Sequence, residues 1–88
     1  MPIKYVEPEV FFRYGDYTIY HIYKEDNIDM GVRVCHYGIS PECSEFGGAF
    51  DVRDLPVDTI IKNQDDAKKA IMEAIDKKIK IEDYIIKF

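Results

Sequence analysis

The feature that most limits what this chain can become is the density of strand-forming residues between Val10 and Tyr37. Aromatic and β-branched side chains dominate there. Only two polar breaks interrupt them, Gly15-Asp16 and the run from Glu25 to Asp29. Such side chains pack well on a pleated surface and lose rotamer freedom in a helix. The segment therefore reads as three strands, Val10–Tyr14, 17–24 and 31–37. Gly15-Asp16 reads as a tight two-residue turn, because glycine tolerates the positive φ that a hairpin turn needs. A loop from Gly38 to Gly48 follows, broken by Pro41 and the Gly47-Gly48 pair, and then a short fourth strand at 49–53.

Only one segment has a clear helical period. Ala67, Ala70, Ile71, Ala74 and Ile75 fall at the spacing that lines one face of a helix. Asn63 is a good N-cap, and Asp65 and Asp66 sit in the first turn, where the helix dipole favours acids. Asp65 with Lys69 and Glu73 with Lys77 are pairs four residues apart in the favourable order, and Lys77, Lys78 and Lys80 complement the C-terminal end. The expected helix spans 64–78, with its alanines allowing a close approach to the sheet. Residues 57–62 fit a helical turn or extended chain. The apolar tail 81–88 fits a last helical turn or an added strand. This order predicts an α+β fold: an antiparallel three- to four-stranded β-meander, then a C-terminal helix packed on one sheet face. Residues 1–88 make one domain, since a chain this short has room for only one.

A small domain must bury a large share of its surface to offset lost chain entropy. The composition suits that demand: 47% of residues are hydrophobic, and seven Tyr and five Phe supply bulk in the absence of Trp. This apolar content argues against intrinsic disorder. Charge is modestly negative, −5 from 12 basic and 17 acidic groups, and it is spread along the chain. A diffuse negative field repels phosphate, so nucleic acid and anionic membranes are not expected partners. No stretch approaches the ~18 apolar residues of a membrane span. No basic-then-apolar leader is visible at the N-terminus. With only two cysteines, the expectation is reduced thiols in a cytoplasmic protein.

The chain shows no catalytic motif. Asp26-Asn27-Ile28-Asp29-Met30-Gly31 resembles a calcium loop but fails on spacing: with Gly31 at the sixth position, Ile28 and Met30 fall where oxygen ligands belong. His21, Cys35, His36 and Cys43 lack zinc-site spacing, so no metal or cofactor is expected. A Cys35–Cys43 disulfide is disfavoured by the compartment. Ser40 and Ser44 lie in no nucleophile elbow, and Gly47-Gly48 lacks the lysine and helix of a phosphate loop. Asp51 and Arg53 share a strand face and read as a surface ion pair.

Sheet register decides the rest. With the second hairpin centred on Ile28, His21 faces Cys35, a pairing able to activate a thiol. One face then carries Phe11, Tyr20, Ile22, Val32 and Val34. The other carries Val10, Phe12, Tyr14, Ile19, His21, Cys35 and Tyr37. Two apolar faces and one helix leave a face to be buried by something else. The expected function is thus a small interaction module that self-associates as a homodimer, or binds another protein, through a sheet face marked by Phe12, Tyr14, Ile19 and Tyr37. The alternative is a small enzyme or ligand-binding protein using the His21/Cys35 face or a pocket under loop 38–48. Stacking of single-stranded nucleic acid on the tyrosines ranks third, because no basic groove accompanies them.

Overall fold

A computed structural model describes residues 9–25, 28–39, 41, 47–82 and 84–88. The chain order is β1 (Val10–Tyr14), β2 (Tyr17–Glu25), β3 (Ile28–His36), β4 (Gly48–Asp51), a 3-10 turn (Val52–Asp54), α1 (Gln64–Asp76) and β5 (Tyr84–Lys87). The α+β class holds. Among the described residues, however, the sheet has five strands in the order β1-β2-β3-β5-β4 and is mixed rather than antiparallel throughout. β5 runs antiparallel to β3 and parallel to β4. The cause is the helix. Two strands joined across a helical connection return in the same direction, which a short turn does not permit. The tail left open between helix and strand is thus a strand, inserted between β3 and β4 rather than laid over a face.

The first hairpin closes as expected. Gly15 has φ 57°, and Asp16 is not among the positive-φ residues, the arrangement of a type II′ turn. Tyr14 pairs with Tyr17 and Phe12 with Ile19; a bulge makes Phe11 an extra residue before the ladder resumes at Val10 and Tyr20. The second hairpin differs from the expectation. Glu25 pairs with Ile28, so the turn lies one to two residues before the assumed centre. Ile19 stands opposite Val34, His21 opposite Val32 and Thr18 opposite Cys35. An odd slip exchanges the faces of one strand relative to the other.

The core follows from this register. Ile19, Val34, Val32 and Ile86 stand in line across β2, β3 and β5 and share one buried cluster with Ala67, Ala70, Ile71 and Ala74 of α1. The predicted helical stripe is therefore the face against the sheet, with Ile75 packed at its margin. Val52, Leu55 and Ile81 close the ends of that cluster. Gly31 lets β5 come close: a Cβ there would lie 3.2 Å from the Ile86 carbonyl oxygen. The opposite face is not the second apolar row expected from sequence. Thr18, Arg33 and Cys35 occupy its centre at 2%, 3% and 3% exposure. Arg33 is flanked in register by Tyr20 and Ile85.

Local capping sets where the elements stop. β4 ends at Asp51, whose side chain accepts from the Arg53 backbone N–H at 2.8 Å and starts the 3-10 turn. Asn63 caps α1 by accepting from the Asp66 N–H at 2.9 Å, and Asp66 in turn accepts from the Lys62 N–H at 3.0 Å. The helix ends at Asp76, earlier than 78, because Lys78 turns into the left-handed region at φ 59°. Among the described residues, no helix is long and apolar enough to cross a membrane.

Candidate functional site: a groove at the C-terminal end of the helix

A concavity lies where α1 ends and the chain returns to the sheet. Its origin is a Schellman-type stop. The Ile79 N–H donates to the Ala74 carbonyl at 3.0 Å and the Lys78 N–H to the Ile75 carbonyl at 3.0 Å. These bonds occupy the Ala74 and Ile75 carbonyls in the last turn. The motif normally places glycine at the left-handed position, yet Lys78 occupies it here. The chain then sends Ile79 against the core and buries Ile81 before the turn into β5, where the Tyr84 N–H donates to the Ile81 carbonyl at 3.2 Å.

The facing wall comes from the start of β2. Tyr17 and His36 are register partners, and their rings lie 4.9 Å apart at 33°. His36 Nε2 is 3.9 Å from Glu82 Oε1, while Glu82 Oε2 accepts from the Ile81 N–H at 3.1 Å. Between these walls is an open groove of about 490 Å³ lined by Tyr17, Ile75, Lys78, Ile79, Lys80, Ile81 and Glu82. Its composition is an apolar floor with a charged rim. Among the described residues, no Ser, Thr or Cys lines it.

Two polar contacts brace the same helix. The Tyr14 hydroxyl donates to both Asp76 oxygens, at 2.8 and 2.9 Å, and this bond holds the phenol pKa above its ordinary value. Glu73 clamps the segment before the helix. It accepts from the Asp58 N–H at 2.6 Å, the Thr59 N–H at 3.2 Å and the Thr59 hydroxyl at 2.7 Å. Lys77 Nζ lies 3.0 Å away. Hydrogen bonds from Thr59 and the Asp58 backbone, then Lys77, pull the Glu73 carboxyl down to about 2. Three of the hydrogen bonds it accepts come from residues 58 and 59, so the shift marks a structural latch. The sequence offered only the Glu73–Lys77 spacing; nothing local linked Glu73 to residues 14 and 15 positions earlier.

The residues singled out from sequence are dispersed. Ile19 is fully buried beneath α1 and Phe12 packs against the same core. Tyr14 is the half-buried partner of Asp76. Tyr37, 74% exposed, lies just past β3. The four do not form one exposed face. His21 and Cys35 lie on opposite faces of the sheet, which removes the proposed thiol–imidazole pair; His21 instead lies 4.7 Å from the Phe11 ring. Arg53 Nη1 is 3.5 Å from Asp51 Oδ1 at the surface, as a simple ion pair. Cys43, Ser40, Ser44 and much of loop 38–48 lie outside the described residues, as do Asp26 and Asn27 of the calcium-like loop. Among the described residues, no group of three His, Cys, Asp or Glu is placed to hold a metal ion. No family model, curated protein or solved structure matches this chain.

Proposed function

We propose that this chain is a protein-interaction module that associates with a second copy of itself through the outer edge of β1. The supporting observation is the sheet order, which among the described residues leaves β1 and β4 at the two edges. A strand paired on one side offers backbone donors and acceptors to another strand. β4 is the poorer template: it has four residues and runs straight into a 3-10 turn. β1 is longer and presents Val10 at 43% exposure beside an exposed Arg13. The centre of the non-helical face, by contrast, already holds a buried arginine, which makes that face a weaker apolar interface than the sequence suggested. A twofold pairing of β1 with its own copy continues the sheet and leaves no repeating edge, the usual closed arrangement of homo-oligomers. The same reading carries the expectation of a cytoplasmic protein with no nucleic-acid partner.

The test is sedimentation equilibrium at high micromolar concentration, with wild type and Arg13→Pro. In a two-residue hairpin Tyr14 is the hydrogen-bonded closing residue, so the Arg13 N–H points outward, where proline is tolerated on an edge strand. The expected result is a dimer for wild type and a folded monomer for Arg13→Pro. A wild-type monomer, or a dimer indifferent to Arg13→Pro, overturns the edge pairing.

A further inference from the structure

We propose that the groove at the C-terminal end of α1 binds a small amphiphilic carboxylate, with its apolar chain on Ile75, Ile79 and Ile81 and its anionic head at Lys78. Three observations converge there. The groove, about 490 Å³, falls in the size range of small-ligand sites and has an apolar floor. Its rim is selective in charge. Glu82 is engaged by the Ile81 N–H and faces His36, whereas Lys78 is exposed and enters no ion pair among the described residues. Lys77, the neighbouring cation, is committed to Glu73 and Asp58. The Ala74 and Ile75 carbonyls beside the groove are bonded within the Schellman stop, so the exposed Lys78 is the charge left to recognise a head group. An anion is therefore the complementary head group.

The third observation is conformational. Lys78 stands at φ 59°, where a Cβ is unfavourable and glycine is the ordinary solution. Strain of this kind concentrates where a side chain is used. The lysine at this position lines the groove, so the backbone penalty secures a cation beside the apolar floor.

The proposal gives a test in which folding and binding move in opposite directions. Lys78→Gly removes the left-handed penalty and the cation together. Isotope-labelled protein is titrated with octanoate below its micelle concentration, and with octylammonium as the charge-reversed control. Octanoate is expected to saturate wild type, with shifts centred on Tyr17, Ile75, Ile79 and Ile81. Octylammonium is expected to produce no saturable shifts. Lys78→Gly is expected to melt at a higher temperature than wild type and to bind octanoate at least tenfold more weakly. Equal octanoate affinity in Lys78→Gly, equal binding of octylammonium, shifts mapping elsewhere, or no saturation of wild type each overturns it. The readout is local shift rather than mass, so this result and the oligomer measurement succeed or fail separately.

Discussion

Ile71 and Ile60 are the same residue in opposite surroundings, and truncating each to alanine tests the assignment of the core directly. Ile71 lies at 0% exposure between α1 and the sheet, whereas Ile60 lies at 75% exposure in the segment before the helix. Ile→Ala removes three carbon atoms. At about 0.8 kcal/mol per buried methylene the transfer loss at Ile71 is about 2.4 kcal/mol. The void left within the buried cluster that Ile71 shares with Ile19, Val34 and Ala74 adds to this, because close-packed surroundings relax only in part. The expected cost of Ile71→Ala is about 3–5 kcal/mol, within the range seen for such truncations. For a domain of this length, total stability is about 4–13 kcal/mol, so the variant sits near the unfolding threshold. Thermal melts followed by circular dichroism should show a fall of at least about 12 °C, at roughly 4 °C or more per kcal/mol. Ile60→Ala should change stability by less than about 0.5 kcal/mol. Equal melting temperatures for the two variants would refute the placement of α1 on the Ile19–Val34–Ile86 row.

The latch at Glu73 makes a pH prediction. Its carboxyl titrates at about 2 in the folded chain against an ordinary 4.5, so it stabilises the fold above the ordinary value and loses that contribution as pH falls toward 2. Urea melts of wild type and Glu73→Gln from neutral pH downward should converge across that window; a constant difference would show that the charge is not what Asp58, Thr59 and Lys77 hold. Tyr14 predicts the alkaline counterpart. Its phenol is raised above 10.0 by Asp76, so its contribution is present below that value and lost as pH rises through the folded pKa. Difference titration at the phenolate absorbance between wild type and Tyr14→Phe should isolate one tyrosine ionising above the ordinary range, and an ordinary value would remove the Tyr14–Asp76 bond.

What was legible in the sequence was local. The stripe from Ala67 to Ala74, the Asn63 cap and the Gly15-Asp16 turn depend on residues within a few positions of one another, and each forms where those residues demand it. The extra length of α1 was a local misreading of another kind. Nothing in a lysine-rich helix end announces that Lys78 will take a left-handed conformation, because the motif is normally recognised by glycine.

What was not legible depended on parity and on distance. The polar break from Glu25 to Asp29 is longer than the turn that forms within it, so side-chain chemistry leaves the turn centre free by a residue or two. A shift of that size decides whether His21 meets Cys35 or Val32, and hence whether the chain has a thiol–imidazole pair at all. The place of β5 is a longer-range matter. Tyr84–Lys87 is short and apolar, and it becomes a strand because Gly31 leaves room beside β3 and because Ile86 completes the row of Val32 and Phe50. That insertion fixes the path of residues 77–82, and with it the groove. The site of interest therefore follows from a helix stop and a strand insertion. No motif search along Ile75 to Glu82 would find it, since Ile, Lys and Glu at those positions describe an ordinary helix end until Tyr17 and His36 are brought opposite them.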